Sequence, residues 1–285
     1  MKKVCSFSGS RFLLLLRKEV LENWKSFLLR MLVVYGILAI ILVWQASFLY
    51  SYSGIYSDAE AFDDMQHRLH QFSMQLFMVG MFVFGIVSAS RMMEGMNTKA
   101  RRISILMLPA TMLEKFLSRM LLYAVISLLA YVLAFMLADF TRSIIYWVAY
   151  LPDLPRVGLL PVSDYLIDSE TISGFFRTQY DCMLVIMLFL FSQSLFALGS
   201  CIWPRLALQK TFAFSMLVFV MALLFGGTLT SLFLDGRHLS FGSSWELSDS
   251  TAPYFVMYIL LALGILFNWV LAYCRFKESE IIHRW

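Results

Sequence analysis

Charged residues are scarce in this chain, and those it has avoid its long apolar runs. Only 15% of the 285 residues are Asp, Glu, Lys or Arg, against about 25% in an average soluble domain. Hydrophobic residues make up 60% of the chain, and the mean hydropathy is +0.73. Because the excess lies in continuous runs, it is typical of a multi-pass membrane protein.

Cysteine is also uncommon, and its spacing matches no metal or redox motif. There are four cysteines, with no metal-ligand spacing: Cys5, Cys182, Cys201 and Cys274. None falls in an outer loop of the topology predicted below. We therefore expect neither a metal centre nor a disulfide framework, and interpret the cysteines as small apolar residues.

Six runs are long enough to cross a membrane as helices, since about 20 apolar residues span the hydrocarbon core. They are residues 27–50, 73–90, 120–138, 182–203, 211–234 and 253–274. Before the first run, apolar residues recur at helical steps over residues 11–26. This pattern predicts an amphipathic helix lying in the inner membrane interface and turning into the first span, and a cytoplasmic extension of that span is the alternative.

Basic residues are distributed unevenly between the two sides of this bundle. With the N-terminus inside, 18 of the 23 Lys and Arg residues lie on the inner side, while 13 of the 19 acids lie outside. Positive charge marks cytoplasmic loops. The sequence therefore predicts an all-α integral membrane protein with both termini cytoplasmic.

Ionisable residues are missing from the six predicted spans, apart from Arg30 at an inner edge. Ion-coupled transporters and intramembrane enzymes need such groups near the midplane. The polar residues present there are best explained as hydrogen-bond partners between helices. They are Gln45, Ser192, Gln193, Ser194, Thr228, Thr230 and Asn268.

Residues outside the spans do not supply a catalytic or nucleotide site either. His67 and His70, near Asp63 and Asp64, would permit a metal site, but a solvated helix face explains them more simply. The Lys-Ser and Lys-Thr pairs lack the preceding glycine of a phosphate-binding loop. We expect a protein that is not an enzyme, binds no cofactor and has no nucleic-acid partner.

The segment "LPATMLEKFLSR", residues 108–119, begins the third predicted span. Thr111 and Glu114 form a capping-box pattern after Pro109, which predicts a helix start. Lys115 and Arg119 are expected at headgroup level, where long basic side chains reach anionic lipid. The whole connection, residues 91–119, is longer than a simple turn requires and suits contact with a cytosolic partner.

This pattern resembles the permease subunits of type-2 ATP-binding-cassette exporters, particularly a Bacteroidetes-like branch. The resemblance rests on "LPATMLEKFLSR", on the tail "YCRFKESEII" (residues 273–282), on the six spans and on the N-terminal amphipathic segment. It implies a permease of the bacterial inner membrane that acts as a homodimer or with a related permease. It also implies that ATP is bound by a separate ATPase subunit, which docks on the loop between spans two and three. The residues implicated in coupling are Glu94, Lys99, Arg101, Arg102, Glu114, Lys115 and Arg119, and each has an alternative explanation as a solvated or lipid-facing charge.

One feature departs from the family pattern. The family places re-entrant helices between spans five and six, whereas residues 235–252 are short and polar here. The long outer segment is residues 139–181, with "SIIYWVAYL" (residues 143–151) as an interfacial patch.

Two other classes of protein stay open as alternatives to the exporter permease. They are a non-transporting membrane scaffold or assembly factor, and a membrane-embedded enzyme. Apolar and aromatic spans favour amphipathic or lipidic cargo if the chain is a permease.

Overall fold

The protein is described from a computed structural model, which covers residues 7–52, 59–149, 179–233 and 252–278. Within these ranges the regular structure is entirely helical. The helices are α1 (Gly9–Tyr52), α2 (Ala59–Ser90), α3 (Lys99–Leu106), α4 (Met112–Met120), α5 (Ser127–Ala149), α6 (Gln179–Ile202), α7 (Ala207–Phe233) and α8 (Ala252–Glu278). A short 3₁₀ helix, Glu94–Met96, precedes α3, and a π-helical turn, Leu121–Ile126, joins α4 to α5.

Within the described residues, five stretches of helix are long and apolar enough to cross a membrane. They are Gly9–Phe48, Arg68–Met96, Met112–Val148, Tyr180–Ile202 and Tyr254–Glu278. Helix α7 shows an apolar stretch at Ala207–Met221, which is too short for the same criterion. The all-helical, multi-span architecture is therefore confirmed, whereas the sixth crossing and the side of each terminus stay predictions.

The N-terminal amphipathic segment is not a separate helix. Helix α1 continues for 44 residues from Gly9 to Tyr52, about 66 Å at 1.5 Å per residue. No proline interrupts it, and its first half is rich in Leu, Arg, Lys and Glu, which are good helix formers. The structure therefore shows residues 11–26 as part of one helix with the first span, and their location in the membrane interface stays a prediction.

The helix predicted to start at Thr111 does start there. The Thr111 hydroxyl accepts from the Glu114 backbone N–H at 3.2 Å, and the Glu114 carboxylate accepts from the Thr111 backbone N–H at 2.8 Å. This reciprocal capping box begins α4, which continues through the π turn into α5. Helix α5 extends past the predicted boundary at residue 138 as far as Ala149, so the first part of the predicted outer segment is helical.

The chain divides into two compact units. The first comprises residues 1–88 and 109–183, and the second comprises residues 89–108 and 184–285. The predicted coupling loop is therefore split, with residues 91–108 in the second unit and residues 109–119 in the first.

The core of the first unit joins α1, α2 and α5. Its buried members are Leu38 and Leu42 on α1, Phe77 on α2, and Tyr131, Phe135 and Ala138 on α5. The Tyr131 hydroxyl donates to the Phe77 carbonyl at 3.0 Å. Gly80 allows this contact, since a Cβ at that position would collide with the Tyr131 hydroxyl. Aromatic packing and one satisfied hydroxyl thus fix α2 against α5.

Two hydroxyls donate hydrogen bonds to one backbone carbonyl within the π turn. The Ser88 Oγ donates to the Tyr123 carbonyl at 2.7 Å, and the Ser127 Oγ donates to it at 2.5 Å. The interior of a bilayer holds no water that could donate to such a carbonyl, so side-chain donors serve this purpose at a distorted turn. The hydrogen bond from Ser88 also ties the end of α2 to this turn.

In the second unit a polar contact joins α6 to α8. The Asn268 side-chain amide donates to the Ser194 hydroxyl at 3.1 Å, and both residues are buried. This confirms, for these two residues, the prediction that polar groups in the spans serve as hydrogen-bond partners between helices.

Many large apolar side chains face outward on the long helices. Trp44 on α1, Leu129 on α5, Phe212 on α7 and Leu263 on α8 are all more than half exposed. A water-soluble protein rarely exposes so much contiguous apolar surface, whereas a bilayer solvates it.

Candidate functional site

The seven residues predicted to couple to an ATPase fall into two groups. Glu94 lies in the 3₁₀ helix, and Lys99, Arg101 and Arg102 lie on α3, all within the second unit. Glu114, Lys115 and Arg119 lie on α4, within the first unit. The side chains of Lys99 and Arg101 lie outside the described part of the structure.

The α4 group forms a buried polar stripe rather than an exposed surface. Glu114 is fully buried, Lys115 is 3% exposed and Arg119 is 4% exposed, and Ser118 between them is fully buried. The prediction that Lys115 and Arg119 reach lipid headgroups is therefore wrong. These four residues share one face of α4, because their positions correspond to i, i+1, i+4 and i+5 along a helix. Helix α1 supplies partners to that face.

Glu114 joins the start of α4 to the start of α1. One carboxylate oxygen completes the capping box with Thr111, while the other accepts from the Ser8 backbone N–H at 2.8 Å. The Arg11 guanidinium lies 3.5 Å from that second oxygen. Ser8 immediately precedes α1, so a single buried carboxylate satisfies donors at two helix starts.

Arg119 makes the reciprocal contact further along both helices. Its Nε lies 3.0 Å from the Glu19 Oε1, and both side chains are nearly buried. The acid is on α4 and the base on α1 in the Glu114–Arg11 contact, and the order is reversed in the Arg119–Glu19 contact. The two pairs therefore fix the register between α1 and α4.

The second unit holds the remaining part of the loop through polar contacts of its own. The Arg102 Nη2 donates to the Met96 carbonyl at 3.4 Å, and the Arg205 Nε donates to the Asn97 Oδ1 at 3.0 Å. Arg91 and Glu94 form a looser ion pair at 3.8 Å, with about half of each side chain exposed. Arg102 thus serves first to hold α3 against the turn before it.

Helix α3 exposes an apolar stripe that the sequence analysis did not single out. Ala100, Ile103 and Ser104 on α3 and Met107 at its C-cap are exposed and follow the i, i+3, i+4, i+7 spacing of one helix face, and three of these four residues are apolar. Ile103 is 56% exposed and Met107 is 79% exposed. The sequence shows Ile103 and Met107 four residues apart in a basic segment. The exposed fractions of the side chains were needed to show which face of α3 is solvent-accessible.

A small cleft lies beside α3 in the second unit. It is lined by Met93, Met96, Arg102, Cys201, Pro204, Arg275 and Phe276. This lining contains no carboxylate and no imidazole, so it offers no acid–base pair of the kind an enzyme site uses.

Metal binding is not supported among the described residues, where no group of three or more His, Cys, Asp or Glu side chains converges. The side chains of Asp63, Asp64 and His67 lie outside the described part of the structure. The idea of a metal site there, which the sequence disfavoured, is therefore not tested.

A buried ion pair lies on α5 at residues that the sequence analysis assigned to the outer loop. The Arg142 Nε is 2.7 Å from the Asp139 Oδ1, and the Arg142 side chain has no exposed surface. Beyond it, Ile144, Ile145, Trp147 and Val148 are exposed, as the predicted interfacial patch requires.

Long apolar helices, buried polar contacts between them and outward-facing apolar side chains define the chain as a multi-pass helical membrane protein. Comparison with protein-family models, with curated proteins and with solved structures finds no match to this chain.

Proposed function

We propose that this chain is the membrane-spanning permease subunit of an ATP-driven exporter and that α3 is the helix on which a separate ATPase subunit docks. The observation that carries the proposal is the exposed apolar stripe of α3, between two long membrane helices. An apolar stripe flanked by basic residues on a short helix suits insertion into a groove of a partner protein.

The sequence adds support from charge. The connection that contains α3 belongs to the strongly basic side of the chain, which the charge distribution predicts to be cytoplasmic. An ATPase that uses cytoplasmic ATP would meet the permease on this side. The absence of ionisable residues from the predicted spans favours a transporter driven from outside the bundle over one coupled to an ion gradient.

The mechanism proposed is mechanical. Closure of the ATPase subunits on ATP would move α3, and the helices of paired permeases would change between two packed arrangements. In this scheme α3 replaces the broader set of charged residues predicted from the sequence. Glu114 and Arg119 hold α4 against α1, and in this scheme these two residues and the buried Lys115 do not touch the ATPase.

The test is purification of the tagged chain from its native host in mild detergent, followed by an assay for an accompanying ATPase. An Ile103→Glu/Met107→Glu variant places two carboxylates on the exposed stripe. A Leu206→Glu variant is the matched control, since Leu206 is 63% exposed on another connection of the same predicted side. We expect the ATPase to copurify with the parent and with the control. The amount of copurified ATPase should fall at least about tenfold for the stripe variant, because charges in an apolar docking patch lower the affinity by a factor of ten or more.

Two results would contradict the proposal. No ATPase with the parent, under conditions that keep other such complexes intact, would favour the non-transporting scaffold. Equal loss from the stripe variant and from the Leu206 control would show that α3 is not a specific docking helix. Elution of every variant as a single symmetrical peak serves as the check on folding.

A further inference from the structure

Arg142 is the largest side chain with no exposed surface in the described part of the protein. A guanidinium carries five N–H donors and remains charged in proteins. Its Nε donates to the Asp139 carboxylate at 2.7 Å. Its two terminal nitrogens, Nη1 and Nη2, are buried and have no hydrogen-bond acceptor among the described residues.

The hydrogen bonding of the Arg142 guanidinium is therefore incomplete. Buried polar groups in native proteins are almost always hydrogen-bonded, and unpaired donors of a charged group are especially costly. Asp139 occupies one edge of the guanidinium and fixes its orientation. The Nη1 and Nη2 atoms together form the end of the guanidinium that remains, and this end suits an oxyanion bound through two parallel hydrogen bonds.

The position along the helix indicates which oxyanion is available. Arg142 follows Arg119 on the continuous α4–α5 rod by roughly 35 Å, at 1.5 Å per residue. The hydrocarbon core of a bilayer is about 30 Å thick. Arg119 and Arg142 therefore lie near opposite boundaries of the membrane, and the oxyanion concentrated at such a boundary is phosphate.

We propose that Nη1 and Nη2 of Arg142 bind a phosphate group, with Asp139 as the residue that positions the guanidinium. The phosphate comes either from a phospholipid headgroup or from a phosphorylated solute. Because Arg142 is enclosed, the phosphate is held inside the helix packing, and its entry and exit require a local opening of the outer end of α5. This site is independent of the docking of an ATPase on α3.

The Asp139 carboxylate also changes the affinity of Arg142 for phosphate. Asp139 carries a negative charge close to the bound phosphate and lowers the affinity for it. Replacement of Asp139 by Asn keeps the size and a hydrogen-bond acceptor for Nε and removes the charge. We therefore expect Asp139→Asn to bind phosphate more tightly than the parent.

The test uses thermal unfolding of the full-length chain in detergent. Inorganic phosphate is compared with chloride at equal ionic strength, and phosphatidylglycerol is compared with diacylglycerol in the same detergent. The proteins are the parent, the Asp139→Asn variant, and an Asp139→Asn/Arg142→Met variant. The double variant keeps the side-chain volume and leaves no buried charge alone.

We expect a phosphate-bearing probe to raise the unfolding temperature of the parent by at least about 4 °C and that of Asp139→Asn further. The double variant should show no difference between phosphate-bearing and phosphate-free probes. A response to phosphatidylglycerol alone would identify a lipid headgroup, and an equal response to inorganic phosphate would identify any accessible phosphate.

Two outcomes overturn the proposal. One is an equal response of the parent and the double variant, which would place phosphate binding elsewhere. The other is loss of self-association in the double variant with no change in phosphate response, since the missing acceptor would then be a carboxylate of a second copy.

Discussion

At the scale of single residues, the clearest result is that charges near the membrane boundary are used within the chain. Glu114, Arg119 and Glu19 would each be expensive to bury alone, but each has a partner in the structure. Long basic side chains beside apolar runs are usually assigned to lipid. Here the extension of α1 alongside α4 puts them in contact with protein instead.

The Arg119–Glu19 pair gives a prediction at this scale. An Arg119→Glu variant would place two carboxylates together in a buried position, and we expect a loss of about 3–5 kcal/mol of unfolding free energy. The reversed pair, Glu19→Arg/Arg119→Glu, should recover most of that loss because the contact is restored with opposite polarity. Thermal unfolding of the variants in one detergent would measure both effects.

The control for this swap is Lys18→Glu/Glu22→Lys, which reverses an exposed pair on α1. Exposed pairs contribute little, so this control should unfold at the temperature of the parent. Failure of the reversed buried pair to recover stability, with an unchanged control, would mean that the Arg119–Glu19 contact is incidental.

At the scale of elements, the π turn between α4 and α5 sets the register of the third span. It contains a wider turn than an α-helix and presents the Tyr123 carbonyl to Ser88 and Ser127. Single π turns within α-helices commonly mark places where a helix changes its packing. This turn joins the part of the helix that contacts the N-terminal half of α1 to the part that carries Tyr131 and Phe135.

Deletion of a single residue distinguishes this turn from regular helix. Removal of Leu121 should convert the wide turn to an α-helical turn and keep the buried face of α5 in place. Removal of Leu129, an exposed residue within regular helix, should rotate the helix segments on either side by about 100° relative to one another. We expect a monodisperse protein from the first deletion and aggregation from the second, as judged by size-exclusion chromatography. Equal tolerance of both deletions would show that the register of α5 is not set by this turn.

At the scale of the whole molecule, the number of times the chain crosses the membrane can be tested directly. In the part of the chain that the structure describes, five helical stretches meet the requirement for a span, and α7 contains the remaining segment that the sequence predicts to cross. An even number of crossings places both termini on one side, and an odd number places them on opposite sides. The charge distribution favours the even number.

Reporter fusions would settle the crossings of the chain. A fluorescent protein that folds only in the cytoplasm should fluoresce when fused after Met107 and after Glu278. Alkaline phosphatase, which is active only outside the cytoplasm, should be active after Asp63 and after Asp235. Phosphatase activity after Glu278 would mean an odd number of crossings, whereas absence of fluorescence after Met107 would remove the cytoplasmic location on which the docking of α3 depends.

The sequence alone determined the helical class, the approximate apolar segments and the start of α4. These features depend on local composition, on the length of apolar runs and on a capping box whose partners are three residues apart. The interhelical role of Asn268 and Ser194 was also predictable, because polar side chains in a span need partners.

Only the tertiary structure decided what the charges do and which faces are open. Glu114 and Arg119 bond to residues about a hundred positions away in the sequence, and no local pattern specifies such pairs. The same holds for the exposed stripe of α3 and for the enclosure of Arg142, since burial depends on which helices pack together. Helix formation is local and readable from sequence, whereas the partner of each side chain is set by packing between distant segments.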